Sequence, residues 1–583
     1  MSARRTRPLR ALAAAALALA LSACAGLPTS GDVQSGLPLG TSPEEPGFLL
    51  LASGPADGAG PADIVEGFLE AAITPADRWS VARSFLTRDY ESAWRPGAGV
   101  LIDVSAESRA FTSSVEDGAD REGDGEDEVE AEEGDTAEVV VQVEQVARLD
   151  EAGAYSEELG TSTLPFEVTF TGGQWRISKA PDGVVIDESR FGRVYDDYPL
   201  QYFDSSWKRL VPDVRWLPRR VEGIATAITQ SLIGGAPSEW LESAVQTAFP
   251  PDVQLARDAV PIDSDQVADV ALNSAAATLD QVTLARMRTQ LQSTLEAAGV
   301  HVSQVRFSVD GRNLEAGVVP IGEEPEDTGA IVLTADAFGT LVGGEITPIE
   351  GVSEDILRMP RPITSIDVAA DDSFAAVQLA DGHVYRAGAG QIDAIDERPG
   401  LIRPAIDPYG FTWTVPARSP GALQISGSDV DARPVDAAWP GASEISSIRV
   451  AGDGARVAAV VTVGGQRWVA VAAVTRDEGG APTALGEPKP VTELSGPAKS
   501  LVWLGPDRLG VLTEPEDAVV LTQIVGGTGV TETAPADAVA LAGARTASGV
   551  RVLDAEGAVF ARSGSAWRES TEGVLVLATR AGY

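Results

Sequence analysis

The spacing of hydrophobic and polar positions changes along the chain, and each period predicts a different kind of element. After residue 60, apolar residues recur three and four positions apart, which predicts helices beginning at Pro61 and near Trp79. From Val100 onward the period is two, and Gly172-Gly173 between two such runs predicts a β-hairpin. Helices followed by antiparallel strands predict an α+β domain over residues 61–190.

Residues 191–348 mix the two periods again. Apolar positions over 221–232 predict a helix that ends at a pair of glycines, and the run 267–272 predicts a strand. A second amphipathic pattern over 284–298 predicts another helix, followed by a strand over 300–309. These elements predict a second small α+β domain.

The remaining residues, 349–583, consist of short apolar runs separated by turn residues. The pattern recurs about every 40–55 residues with up to four strands per unit, which is typical of propeller blades. We predict an all-β propeller of about five or six blades over this stretch. A pair of β-sandwiches is the competing architecture.

The chain begins with a targeting segment. Arginines precede an apolar run over residues 11–21, which is too short to span a bilayer and is typical of a signal peptide over residues 1–23. The run ends in LSAC, which resembles a bacterial lipobox. We therefore expect cleavage between Ala23 and Cys24, with S-diacylglycerol and N-palmitoyl groups on Cys24; the alternative is a secreted protein whose leader contains a chance cysteine. Residues 24–60, rich in Gly, Pro and Ser, predict a flexible tether behind the lipidated cysteine.

Charge excludes several classes of function. The 583 residues include 44 basic and 86 acidic ones, for a net charge of −42, and removal of the leader leaves 40 basic residues and −46. Such an acidic surface repels phosphate backbones, so we expect no nucleic-acid partner. Cys24 is the only cysteine, so no disulfide is expected in the exported part.

Candidate catalytic residues are few. With only His301 and His383 in the chain, a multi-histidine zinc site is excluded, and no nucleotide-binding or hydrolase motif is present. We interpret His301 as a solvent-facing strand residue and His383 as a hydrogen-bonding residue of a blade. The carboxylate pairs at 196–197 and 371–372 are interpreted as turn residues with solvated charges. We therefore predict neither enzymatic activity nor a cofactor.

An acidic segment interrupts the first domain. Residues 116–138 hold 13 acidic residues and one arginine, so the segment repels itself and lacks apolar anchors. We predict a disordered loop. A calcium-binding loop is the alternative, although the ligand spacing of an EF-hand is missing.

A cluster of aromatic residues opens the second domain. Seven aromatic residues fall within the 26 residues 191–216. Such a cluster either wedges two domains together or forms an exposed patch for a partner. The residues concerned are Phe191, Tyr195, Tyr198, Tyr202, Phe203, Trp207 and Trp216.

Several motifs in order resemble one family, the actinobacterial LpqB lipoproteins. They are LSAC followed by GLPTS at 26–30, QWRI at 174–177, LVPDVRWLP at 210–218, GIA at 223–225 and PSEWL at 237–241. The resemblance spans nearly the whole chain. It implies an N-terminal domain, a GerMN domain and a C-terminal propeller-like domain. The first domain is also similar to NTF2-like domains in its order of helices and strands.

The resemblance also implies a function. It implies a lipoprotein anchored on the extracytoplasmic face of the cell membrane, a partner of the MtrB sensor kinase that modulates the MtrA–MtrB phosphorelay in cell-wall homeostasis and division. It carries over no catalytic residue, only Cys24. Two other functions stay open from the sequence: an envelope glycan-binding module or hydrolase that uses the propeller face, and a bare scaffold.

Overall fold

In the computed structural model the predicted signal peptide, Ala23, Cys24 and most of the predicted tether lie outside the described residues. None of the helices in the described part has the length and apolar content needed to cross a membrane. The described residues are 53–116, 131–219, 223–322, 329–360, 362–428, 430–514, 516–564 and 566–583.

The first domain begins with the predicted helix. Pro61 occupies its first turn, where a missing N–H costs nothing, and the Asp63 carboxylate accepts the backbone N–H of Gly60 at 3.2 Å. The apolar face, including Ile64 and Phe68, is buried as its spacing predicts. The predicted second helix is only four residues long. The helices of this domain are α1 (Pro61–Ala72), α2 (Ser80–Arg83) and α3 (Glu188–Val194).

A six-stranded sheet completes the domain, in the order β5-β4-β3-β1-β6 with β2 also paired to β3. All pairs are antiparallel except β1 with β6. Gly172 and Gly173 have φ angles of 61° and 80° between β4 and β5, which confirms the predicted hairpin. The NTF2-like assignment stays a prediction. The strands are β1 (Val100–Asp103), β2 (Ala110–Glu116), β3 (Thr136–Leu149), β4 (Tyr155–Thr171), β5 (Gln174–Lys179) and β6 (Val184–Asp187).

The acidic segment is partly ordered. Glu116 pairs with Thr136 at the end of the β2–β3 ladder, and the Glu133 carboxylate accepts the backbone N–H of Gly172 at 2.9 Å. The prediction of a disordered loop over 116–138 is therefore wrong at both ends. Backbone hydrogen bonds of the β2–β3 ladder, and the N–H group at the hairpin turn, offset the local repulsion between carboxylates. Residues 117–130 lie outside the described part of the chain.

The second domain places two helices with two small sheets, ordered β8-β7-β9 and β10-β11-β12. The predicted second helix and the strand at 267–272 are confirmed, whereas the strand predicted from 300 begins at Gln304. The helix predicted over 221–232 is confirmed from Ile224 onward, and residues 221 and 222 lie outside the described part of the chain. Asp280 caps the longer helix by accepting the N–H groups of Val282 and Thr283. The elements are β7 (Tyr195–Asp204), β8 (Leu210–Pro218), α4 (Ile224–Gly234), β9 (Val245–Gln246), β10 (Val267–Leu272), α5 (Gln281–Ala297), β11 (Gln304–Val309) and β12 (Arg312–Asn313).

The third domain is a β-propeller, as predicted. Within the described residues from 330 onward, the strands form six blades, each built on a four-stranded antiparallel order. The short helix α6 (Ser353–Arg358) precedes the second blade. The strands are β13 (Ala330–Leu333), β14 (Phe338–Val342), β15 (Glu345–Thr347), β16 (Ile363–Val368), β17 (Ala375–Leu379), β18 (Val384–Gly388), β19 (Gln391–Asp396), β20 (Ala405–Ile406), β21 (Thr412–Thr414), β22 (Gln424–Ser426), β23 (Arg433–Pro434), β24 (Glu444–Val450), β25 (Arg456–Val463), β26 (Gln466–Arg476), β27 (Pro482–Leu485), β28 (Lys489–Glu493), β29 (Ala498–Trp503), β30 (Arg508–Thr513), β31 (Val519–Ile524), β32 (Gly529–Thr533), β33 (Ala538–Ala542), β34 (Arg551–Asp554), β35 (Val559–Ser563), β36 (Ala566–Thr571) and β37 (Val576–Arg580).

The two ends of the propeller close its ring. Strand β37 pairs antiparallel with β13, with Ile331 opposite Ala578, and so completes the blade of β13, β14 and β15. The innermost strands β16, β20, β24, β29, β33 and β37 contact one another in turn around the ring. The predicted boundary between residues 348 and 349 is therefore wrong, because residues 330–347 supply three strands of the closing blade.

Candidate functional site

Three aromatic residues of the 191–216 cluster, Phe191, Tyr195 and Trp216, lie at a junction of all three domains. Phe191 is 1% exposed and Trp216 5% exposed, and their ring centroids are 4.7 Å apart. Tyr195 stacks on Phe191 at 5.5 Å, and Tyr155 of β4 packs 6.3 Å from Trp216. Ile524 of the propeller belongs to the same buried cluster. These three residues form an interdomain wedge. The other four, Tyr198, Tyr202, Phe203 and Trp207, pack in the core of the second domain, so the stretch is not an exposed patch.

Trp216 in β8 makes hydrogen bonds to both neighbouring domains. Its backbone N–H donates to the carbonyl of Gly153 at 2.8 Å, and its indole Nε1 donates to the carbonyl of Gly526 at 2.9 Å. Both approaches leave no room for side chains. A Cβ on Gly153, whose φ is 79°, would lie 2.6 Å from the Trp216 carbonyl oxygen, and a Cβ on Gly527 would lie 2.8 Å from Trp216 Cζ2.

A buried ion pair supports the strand that carries Trp216. Arg215 Nη1 lies 2.8 Å from Asp213 Oδ1, and both side chains are 4% exposed. Asp213 also accepts the N–H of Ser238 at 2.7 Å and its hydroxyl at 2.8 Å. These hydrogen bonds compensate for the cost of burying the carboxylate. Two of the segments that carry the family resemblance, 210–218 and 237–241, therefore meet here.

Polar contacts with the propeller surround this core. Arg508 of β30 lies 3.1 Å from the Asp197 carboxylate, and the Tyr409 hydroxyl donates to Asp204 at 3.2 Å. Asp197 belongs to strand β7, so its interpretation as a turn residue is wrong: it pairs with a cation of another domain. Asp196 lies in the same strand and pairs with Arg219.

Apolar contacts join the second domain to the propeller at another point. Leu241 is fully buried and Ala244 is 4% exposed in a small cluster with Val211. The propeller contributes Ala455 and Ala473 to this cluster. The second domain therefore contacts at least two blades, and its placement does not rest on Trp216 alone.

Two half-buried charged residues lie where β4 meets β28. Lys489 Nζ donates to the carbonyl of Tyr155 at 2.9 Å, and burial lowers the pKa of this lysine. Burial, followed by the negative charges of Glu493 and Glu188, raises the pKa of Glu157 to about 7. Glu157 Oε2 is buried without a hydrogen-bond partner among the described residues. Burial at this point disfavours the charged form of Glu157, so ionisation of Glu157 opposes the packing of β4 against β28.

Other candidates from the sequence lie apart. His301 is exposed and precedes β11, so it is not a strand residue, whereas His383 Nδ1 lies 3.5 Å from the Asp381 carboxylate. Asp371 accepts the N–H of Ser373 within a turn, as predicted, but Asp372 also pairs with Arg580. Among the residues that the structure describes, no group of three His, Cys, Asp or Glu side chains could hold a metal ion.

Sequence reasoning found the wedge but missed its partners. Gly153 and Gly526 carry no local pattern that marks them as contacts of Trp216. Their roles depend on folding that brings together residues up to 310 positions apart. The local signal is weak: a glycine at a turn leaves space for another part of the chain to approach closely.

Models of three protein domains match successive parts of the chain. "Lipoprotein LpqB, N-terminal domain" matches residues 54–192, and "Sporulation and spore germination" matches residues 199–315. "Lipoprotein LpqB beta-propeller domain" matches residues 336–576. The last two matches leave residues 316–335 between them, where β13 begins.

Curated relatives match over most of their length. A Lipoprotein LpqB of Bifidobacterium longum is 29% identical over 84% of this chain and 83% of the relative. One from Cutibacterium acnes is 26% identical over 99% of this chain and 100% of the relative, and one from Streptomyces coelicolor is 28% identical over 87% and 86%.

Solved structures overlap less closely. TolB from Acinetobacter baumannii is 14% identical, with a TM-score of 0.32 over 56% of this chain and 99% of that chain. A nidogen/laminin complex is 11% identical, also with a TM-score of 0.32, over 43% of this chain and 96% of that chain. Overlap at this level supports no conclusion about function.

Proposed function

The chain belongs to the LpqB lipoprotein family, and from that premise we propose that it binds the extracellular part of an MtrB-type sensor kinase. Lipid on Cys24 holds it on the extracytoplasmic face of the cell membrane. Binding modulates the MtrA–MtrB phosphorelay and thereby affects cell-wall homeostasis and division. The protein acts by binding and not by catalysis.

The observation that supports this most is the position of Trp216. Its backbone and indole bind the first domain and the propeller at once, through Gly153 and Gly526. A partner surface shared between the GerMN-like domain and the propeller requires that the two keep a fixed relative placement, because ordering them on binding would cost affinity. The contacts of Trp216 fix that relative placement before the partner binds.

The negative charge of this chain requires basic groups on the partner. After loss of the leader the chain carries −46, so the encounter depends on basic groups of the kinase and slows as salt rises. Anchoring both proteins to one bilayer raises their effective concentration. A weak affinity between soluble fragments is therefore compatible with strong association on the membrane.

Crosslinking in intact cells tests the proposal. The full chain should capture the kinase, while Cys24→Ser, which lacks the lipid site, should capture much less at equal expression. Trp216→Ala keeps the anchor and should also capture less, because it loosens the domains. Capture of cell-wall glycan in place of kinase would favour the alternative function and contradict the proposal.

A further inference from the structure

A cavity of about 100 Å³ lies at the axis of the propeller. Residues of the innermost strands of successive blades line it, and two arginines, Arg403 and Arg449, are among them. Ser365 of β16 lines it as well. The space would hold about three water molecules, or one small polyatomic ion.

Arg449 is unusually buried for a cation. The residue is 7% exposed, and its Nη1 donates to the carbonyls of Pro404 at 3.1 Å and Ile448 at 3.0 Å. Its Nη2 donates to the Thr579 hydroxyl at 3.3 Å. Its Nε is buried without a partner, and so is the Ser365 hydroxyl, among the residues described. A buried donor left unsatisfied destabilises the fold unless something binds it.

The charge in the cavity is also unbalanced. In the described part of the chain no carboxylate lies within 4 Å of either guanidinium, and Arg403 makes only a 3.4 Å contact with the carbonyl of Lys499. Burial lowers the pKa of Arg403, and the charge of Arg449 lowers it further. Two cations thus repel each other across the cavity.

One carboxylate is nearby, but it is already engaged. Asp367 is 2% exposed, and it accepts the N–H of Ile406 at 2.6 Å and the hydroxyl of Thr579. Burial raises the pKa of Asp367, which weakens it further as a counter-ion. Even when it is ionised, one negative charge faces the two positive charges of Arg403 and Arg449.

We propose that this cavity binds a small oxyanion of the phosphate type, free or as the terminal group of a larger molecule, between the Arg403 and Arg449 guanidinium groups. Planar guanidinium groups bind tetrahedral and planar oxyanions through paired N–H donors. The Ser365 hydroxyl and Arg449 Nε supply the donors that otherwise lack acceptors. This site is independent of the kinase-binding surface proposed above.

Binding there should stabilise the ring. Ser365 belongs to β16, Arg449 to β24, and Arg403 to the segment that enters β20, so one anion would contact residues of successive blades. A ligand that binds only the folded state raises the melting temperature by mass action. Phosphate should therefore stabilise the propeller more than chloride does at matched ionic strength.

Calorimetric titration of the detergent-solubilised full chain with inorganic phosphate tests this proposal. The wild type should bind one phosphate per chain, and Arg403→Gln should weaken the Kd by at least about tenfold. Arg312→Gln makes the same change of charge at an exposed position and should bind as the wild type does. Absence of phosphate binding by the wild type, or equal binding by Arg403→Gln, would overturn the proposal.

A second measurement avoids variants, because Arg449 is buried enough that its replacement could prevent folding. Hydrogen exchange of the wild type with and without phosphate should show slower exchange in β16, β20 and β24. Protection confined to other strands would place the anion elsewhere and overturn the assignment.

Discussion

The indole Nε1 of Trp216 donates a 2.9 Å hydrogen bond to the carbonyl oxygen of Gly526, which lies 310 residues further along the chain. The backbone N–H of the same tryptophan donates to Gly153 in the opposite direction of the sequence. One residue of the second domain thus contacts the first domain and the propeller. Removal of its side chain should weaken the coupling among the three domains.

Replacing Trp216 with alanine should therefore destabilise the protein by about 3–5 kcal/mol, because it leaves a cavity and an unpaired carbonyl. We expect calorimetry to show the first domain unfolding before the propeller. Trp567→Ala is the matched control, since the Trp567 indole donates within the propeller, to the carbonyl of Thr533. If Trp216→Ala unfolds in the same single step as the wild type, the wedge does not couple the domains.

Gly527→Ala tests the close approach from the propeller side. The added Cβ would lie 2.8 Å from Trp216 Cζ2 and 2.9 Å from Ile524 Cγ2, so we expect a loss of about 1–3 kcal/mol in chemical denaturation. Gly192→Ala, in helix α3 with nothing within 4 Å of the new Cβ, should be neutral or stabilise by about 0.4–1 kcal/mol. Equal effects of the two substitutions would argue against tight packing at Trp216.

The buried ion pair predicts a contrast between two aspartates. Asp213→Ala leaves Arg215 buried without its counter-ion and should cost about 3–5 kcal/mol in urea unfolding. Asp196→Ala breaks an exposed pair with Arg219 and should cost about 0–1 kcal/mol. A small effect at Asp213 would mean that water or another group replaces the carboxylate.

Glu157 predicts how stability depends on pH. Its pKa is raised from 4.5 to about 7 in the folded protein, so its contribution is fully present below pH 4.5 and is lost as pH rises through about 7. Glu157→Gln should flatten the fall in melting temperature over that window, whereas Glu138→Gln, at an exposed position of β3, should leave it unchanged. A Glu157→Gln profile that parallels the wild type would contradict this assignment.

Local patterns predicted most elements of the fold. The period of apolar residues located α1, α5 and the strand Val267–Leu272, and the glycines 172 and 173 located a hairpin, because these elements depend on contacts close in sequence. The start of the propeller was misplaced for the opposite reason. Its closing blade pairs Ile331 with Ala578, and nothing near either residue marks the other.

In the candidate site, too, the sequence predicted what depends on local pattern and missed what depends on distant contacts. The density of aromatic residues over 191–216 left a wedge and an exposed patch as alternatives, and three of the seven residues form a wedge because large apolar side chains at a domain boundary need to be buried. The carboxylates at 196 and 197 were misread as turn residues. They lie in the β7–β8 ladder, opposite Leu217 and Trp216, and their carboxylates pair with Arg219 and with Arg508 of the propeller.

The central claim is that the anchored chain binds the sensor kinase through domains whose relative placement Trp216 helps to fix. The most direct test reconstitutes the lipidated chain and the full-length kinase in the same vesicles and measures kinase autophosphorylation. We predict that the wild type changes the rate and that Trp216→Ala, anchored at equal density, changes it much less. A rate that is the same with and without the wild-type chain would contradict the account.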